Sequence, residues 1–189
     1  FAPSLRGPAL WDDRRLLEAA QGLTSLREAF GAHSFGLQSA EGVGASFWRP
    51  LVTATLYLEQ RAAQATGLPA LGWHHGVQVL VHAAVAALTW LWLRGLLPSA
   101  ARRARWGAFA EPAWWGALLW ALMPLKVENV TWLSGRGDVL GWASWVIGML
   151  ALRRARGAGP RALLGLGATA AALLAKETFL VAPALLWLE

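Results

Sequence analysis

The chain of 189 residues is 56% hydrophobic and only 15% charged, with 13 Trp against one Tyr, a composition outside the range of ordinary soluble domains that puts a membrane class first. The net charge of +6 does not point to nucleic acid, because residues 1–70 hold six Arg and six acids that cancel, and the excess lies wholly in the apolar remainder. The absence of cysteine excludes a disulfide framework, a thiolate metal site and a Cys nucleophile.

The chain opens at Phe1-Ala2-Pro3 without Met or a basic-then-apolar leader and stops at Glu189 inside an apolar run, so both ends read as cut. Trp11-Asp12-Asp13 comes first among the candidate sites. Adjacent carboxylates suit general-base work, one orienting a hydroxyl or holding its partner's ionisation while the other takes the proton; the commoner use of two acids ahead of a helix is a cap. Ser25-Leu26-Arg27-Glu28 fits a capping box and predicts a helix from Leu26 to about Gly31. Gly36 to Ser46 is polar and Gly-rich, a loop. Pro50 in Trp48-Arg49-Pro50 suits a first helical position, followed by Leu51 to Ala65 with Glu59, Gln60 and Arg61 on its polar side. That pattern predicts an amphipathic helix on the membrane surface with Trp48 and Tyr57 near the headgroups, or else the surface helix of a soluble domain.

Spanning segments follow. His75 to Leu97 crosses to a basic cluster, Arg94/Arg102/Arg103/Arg105, and Ala113 to Met123 returns. Pro124 to Asp138 forms an outside loop. Val139 to Leu152 delivers a second cluster, Arg153/Arg154/Arg156/Arg161, to the same cytoplasmic side as the first. Ala162 to Ala175 climbs back, Lys176-Glu177 interrupts, and the apolar stretch resumes from Thr178 to Leu188. The segments 139–152 and 162–175, at 14 residues each, are short for a full span and suit tilted helices that stop in a water-filled cavity. The expected fold is all-α: a polytopic transmembrane helical bundle of about five membrane segments over residues 73–189, preceded by an extracytoplasmic loop, residues 1–72, with short juxtamembrane helices.

Polar residues inside this apolar frame carry the chemistry. His75, Gln78 and His82, after His74, share one helix face that looks into the protein, for interhelical hydrogen bonding or for a metal. Lys126, Glu128, Arg136 and Asp138 stand in and beside the outside loop, and Lys176-Glu177 sits where burial is costly unless paired or hydrated. A cation kept there suggests an anion to bind. Arg136 can grip a phosphate in a fork and Lys176 can act as a point charge, which makes a phosphorylated lipid a natural ligand.

Trp-Asp-Asp near the start, Trp48-Arg49-Pro50-Leu51, His75-x-x-Gln78-x-x-x-His82, Pro124-x-x-x-Glu128-x-Val130-x-Trp132-x-x-Gly135-Arg136-x-Asp138 and Ala175-Lys176-Glu177-Thr178 occur in this order. In this the chain resembles the transmembrane and tetratricopeptide-repeat O-mannosyltransferase family of GT-C glycosyltransferases. The resemblance covers nearly the whole chain, with departures at Met123 and Lys126, where the family has His, and at Gln78, where it has Asn. It implies a GT-C-like bundle that transfers a sugar, with inversion, from a polyprenyl-phosphate donor to a protein Ser or Thr hydroxyl on the outer face, with membrane lipid around it and no nucleic-acid partner. By that likeness Asp12 is the general base with Asp13 supporting it, Arg136 and Lys176 bind the departing lipid phosphate, Lys126 and Glu177 belong to the same site, Glu128 and Asp138 order the loop, and His75 lines the cavity. No ligand set demands a metal, and no cofactor is required. The Arg- and Ala-rich composition suggests a bacterial plasma-membrane protein with an undecaprenyl- or decaprenyl-linked donor. Two other classes fit the same membrane pattern: a transporter using Lys176 and the His face as a pathway, and a membrane anchor for which no outside charge matters.

Overall fold

The structure, a computed structural model, describes residues 7–31, 47–98 and 111–181, and every regular element within them is helical. The expected loop at 36–46, the residues Arg102, Arg103 and Arg105, and the apolar stretch beyond Val181 lie outside the described residues.

Helix α1, Asp13–Gly22, buries Leu16, Leu17 and Ala20 on one face, as apolar positions three and four apart must on a 3.6-residue turn. Helix α2, Leu26–Gly31, spans the predicted residues. Ser25 Oγ accepts from the Glu28 N–H at 3.2 Å, the first half of the capping box. The second half shifts by one residue, since the Glu28 carboxylate accepts the N–H and the hydroxyl of Thr24, both at 2.8 Å.

Helix α3, Pro50–Thr66, starts on Pro and ends at Gly67 with φ +70°, a left-handed cap that glycine adopts without a Cβ penalty. Its apolar residues Val52, Leu56 and Ala63 turn inward as an amphipathic helix requires, and polar residues are buried beside them. Glu59, Gln60 and Thr53 are buried, while Leu58 is exposed. The Trp48 indole donates to the Phe30 carbonyl at 2.9 Å and the Tyr57 hydroxyl to the Thr24 carbonyl at 3.1 Å.

Helix α4, Ala70–Leu96, has 27 residues, about 40 Å of rise. After it come α5, Pro112–Leu122, α6, Leu125–Thr131, a 3₁₀ turn at Leu133–Gly135, α7, Arg136–Leu152, α8, Ala158–Ala175, and a 3₁₀ turn at Glu177–Val181. The outside loop is therefore largely helical. Arg136 and Asp138 belong to the first turn of α7 rather than to the loop, and α7 and α8 reach 17 and 18 residues instead of 14. Two helices, α4 and α8, are long and apolar enough to cross a membrane by length and composition.

These helices expose large apolar side chains and bury polar ones beside the apolar core of Val85, Val146 and Met149. Leu80 at 69% exposed, Leu119 at 68% and Leu163 at 72% face outward, while His74, His75, Gln78, His82, Thr89 and Arg136 are buried. A soluble protein would expose the second set and hide the first, whereas a lipid solvent favours the observed arrangement.

At one end of the bundle Arg94 pairs with Glu111 at 2.9 Å, linking α4 to α5, and Arg153 donates to the Trp92 carbonyl at 2.9 Å, linking α7 to α4. Arg94 and the second arginine cluster thus share that end, as the charge pattern predicts. The opposite end gathers α1, α6 and Lys176.

Helices α7 and α8 meet along small residues. A Cβ on Gly148 would collide with the Ala168 methyl, and one on Gly137 would lie 2.9 Å from the Ala175 carbonyl oxygen. Such a seam lets backbones approach closely where no hydrophobic force drives helices together in lipid. Gly148→Leu is expected to destabilise the chain by about 1–3 kcal/mol in thermal unfolding in detergent, whereas Gly159→Ala, with nothing within 4 Å of the added Cβ, leaves the midpoint unchanged or slightly raised.

Candidate functional site

The centre of the charged end is Arg136, which is 1% exposed. Its Nε donates to Gln78 Oε1 at 2.7 Å, its NH1 to Glu59 Oε1 at 2.5 Å and to Thr55 Oγ1 at 3.5 Å, and its NH2 to the His74 carbonyl at 3.3 Å. The other Glu59 oxygen meets His74 Nδ1 at 2.7 Å. Gln78 then passes the network on, its amide donating to the Asn129 carbonyl in α6 at 2.5 Å. A lone buried guanidinium is untenable without such partners, so the first residue of α7 is fixed against α3 and α4.

Asp13 makes a second buried node. Its carboxylate accepts the Leu10 N–H at 3.0 Å and the Leu133 N–H at 2.9 Å, so one oxygen closes the turn into α1 and the other holds the 3₁₀ turn that leads into α7. Burial pushes its carboxyl pKa above the usual value, with backbone N–H groups of Leu10, Leu133 and Ser134 opposing the shift. Asp12 beside it differs. One of its oxygens accepts the Trp132 indole N–H at 2.6 Å, Trp132 also meets Trp11 edge-on at 5.3 Å between ring centres, and the side chain stays partly exposed. Of the adjacent pair, Asp13 is a buried clamp and Asp12 is the more accessible carboxylate.

Two ion pairs lie around the break after α8. Lys176 Nζ meets Asp138 Oδ2 at 2.7 Å, and Arg49 holds Glu177 in a two-point contact at 3.0 and 2.6 Å. Glu177 is lowered in pKa chiefly by that hydrogen bond from Arg49. The Asp138 role as a loop organiser becomes a brace between α7 and the chain leaving α8. Lys126 sits over the Trp120 ring at 5.0 Å, and no acid pairs with it among the described residues. Glu128 is exposed; its contribution to loop order is its backbone, since its carbonyl accepts the Trp132 N–H at 3.0 Å and Gly135 packs so near that a Cβ there would lie 3.2 Å from that oxygen.

The histidine face forms as predicted and serves interhelical hydrogen bonding: Gln78 links to α6 and α7, and His82 Nε2 meets the Ala121 carbonyl at 3.0 Å. Among the described residues no group of three His, Asp or Glu is placed to hold a metal. His75 is 1% exposed with neither ring nitrogen hydrogen-bonded.

One expected role needs correcting. Arg136 is not open to a lipid phosphate in this structure, because its donors already serve Glu59, Gln78, Thr55 and His74 inside the protein. The more exposed cation is Lys176, with a side chain 21% exposed, whereas Arg49 is itself buried. Sequence reasoning missed Glu59, His74, Asn129 and Arg49 as members of this end. Glu59 looked solvated on a helical wheel; the available signal was a carboxylate in a chain whose other polar residues already asked for buried partners.

Comparison of the chain with protein-family models, with curated proteins and with solved structures finds no match.

The two aspartates separate in a stability measurement. Asp13→Asn leaves one of two buried N–H donors without its acceptor and is expected to cost about 1–3 kcal/mol, while Asp12→Asn keeps an amide oxygen for the Trp132 indole and is expected to shift the unfolding midpoint little. Glu59→Gln, which strands the Arg136 charge, is expected to cost about 3–5 kcal/mol and to lower the yield of folded protein in size-exclusion chromatography.

Proposed function

We propose that the chain is the membrane part of a GT-C type glycosyltransferase, which moves a sugar from a polyprenyl-phosphate donor to a protein Ser or Thr hydroxyl on the extracytoplasmic face of a bacterial plasma membrane. The observation that carries this reading is Asp12: a partly exposed carboxylate held by the Trp132 indole at 2.6 Å, at the same end of an inside-out helical bundle as Lys176. The motif resemblance across 124–138 and 175–178 supports it independently of the geometry.

In the proposed step the Asp12 carboxylate takes the acceptor hydroxyl proton as that oxygen forms the new bond to the anomeric carbon. The bond from that carbon to the lipid phosphate oxygen breaks, its electron pair leaves with the phosphate, and the configuration inverts. Charge grows on the leaving phosphate, so a nearby cation accelerates the step. Lys176 fits that task better than Arg136, because its ammonium has three donors and the Asp138 contact uses one. Asp13, Glu59 and Arg136 contribute by holding the loop and α7 in register, and they touch neither substrate.

Asp12→Asn, assayed in membranes with a polyprenyl-phosphate sugar and an acceptor peptide, is expected to lower transfer by at least about a hundredfold with expression and membrane insertion unchanged. Undiminished transfer removes Asp12 from the base role. For orientation, a reporter fused after Arg156 reads out cytoplasmic; a periplasmic signal there reverses the topology and puts Asp12 on the wrong face for an extracytoplasmic acceptor.

A further inference from the structure

At the arginine-rich end, away from Asp12, the ends of α7 and α8 leave an open groove of about 570 Å³ lined by Leu88, Ile147, Leu150, Ala151, Leu164 and Arg154, with Ala155 and Pro160 at its rim. Its walls are almost all hydrocarbon. From Ile147 to Arg154 the α7 side spans seven residues, about 10 Å of helix rise, so the groove runs from the apolar flank of the bundle to its charged edge. Ile147 and Leu164 are exposed there.

The charged edge is one-sided. Arg154, Arg156 and Arg161 are all exposed, and among the described residues the Arg154 guanidinium meets the Leu150 carbonyl in the last turn of α7, at 3.4 Å. No acid among the described residues pairs with any of the three. The first turn of α8 adds no acid of its own and no side-chain cap on its free N–H groups, which leaves the partial positive charge of the helix start unopposed beside the arginines.

We infer that this groove is a binding site for an anionic phospholipid, whose phosphate meets Arg154 and the start of α8 while its acyl chains lie along Leu88, Ile147, Leu150 and Leu164. Charge complementarity selects this occupant. A zwitterionic headgroup adds a cation beside an edge that is already basic, whereas an anionic headgroup gives Arg154 a partner without one, and basic pockets between membrane helices bind such lipids. The Arg154 fork matches phosphate oxygens, and the hydrocarbon walls require chains rather than a free ion. The site rests on the membrane-spanning reading of the helices and is independent of the sugar-transfer reading.

Native mass spectrometry of the full chain purified in mild detergent tests it, with phosphatidylglycerol or phosphatidylcholine added at equal concentration. Phosphatidylglycerol is expected to be retained over phosphatidylcholine. Arg154→Gln lowers that retention about fivefold, and Ala151→Trp, which fills the groove and leaves every arginine in place, lowers it as much. Equal retention of the two lipids, or wild-type retention by Ala151→Trp, overturns the site. Displacement by glycerol phosphate, which has the anion and no chains, also overturns it in favour of a headgroup-only contact. Alkaline carbonate extraction of the same membranes separates the two layers of inference: a chain that stays in the pellet without lipid preference sinks the site alone, and a wild-type chain released to the supernatant sinks the membrane reading and the site together.

Discussion

Glu59 and Arg136 form a charge pair that water barely reaches, with the guanidinium 1% exposed and 2.5 Å from the carboxylate. Desolvating both ions is expensive, and their attraction offsets it only when the remaining donors and acceptors are also met. Here they are met by residues of two helices. Gln78 and the His74 carbonyl belong to α4, Thr55 to α3, and His74 itself takes the second Glu59 oxygen. The geometry of α3, α4 and the start of α7 therefore stands or falls together, and the chain before α4 is tied to the helical bundle.

From that node order spreads in two directions. Gln78 reaches the Asn129 carbonyl in α6, and Asp13 reaches the Leu133 N–H in the turn just before Arg136. Both hold the same short stretch, 129–136, whose closest approach is made where Gly135 meets the Asn129 backbone. Asp12 is placed by its neighbour: once Asp13 is locked, Asp12 lies against Trp132 with part of its carboxylate still facing out. The buried acid thus orders the turn that carries the more accessible one.

The far end of the bundle is organised by different physics. Arginines and Glu111 meet near the ends of α4, α5 and α7, while exposed leucines cover the helix flanks between the two ends. The α7 to α8 seam, with Gly137 against the Ala175 carbonyl and Gly148 under Ala168, brings two backbones together without large apolar side chains. Such contacts gain dispersion and lose little side-chain entropy, which is the available route to helix association when lipid is the solvent.

Much of this was legible in the sequence because it depends on local or compositional rules. Helix α2 follows from its capping box, the start of α3 from Pro50, the long α4 from an unbroken apolar run, and the shared end of Arg94 and Arg153 from charge placement. The inward face of His75, Gln78 and His82 follows from their three- and four-residue spacing. What tertiary structure alone decided is which polar groups find one another. Glu59 and Arg136 are 77 residues apart, Asp13 and Leu133 are 120 apart, and Arg49 and Glu177 are 128 apart; no periodicity encodes such partners. The periodicity of α3 gives its buried apolar face but not the burial of Glu59 and Gln60 beside it, since a pattern counts polarity and does not know whether water or an arginine will meet it. Asp12 and Asp13 are identical in chemistry and adjacent in sequence, and only the fold, by burying one against two backbone N–H groups and leaving the other beside an indole, makes them different residues.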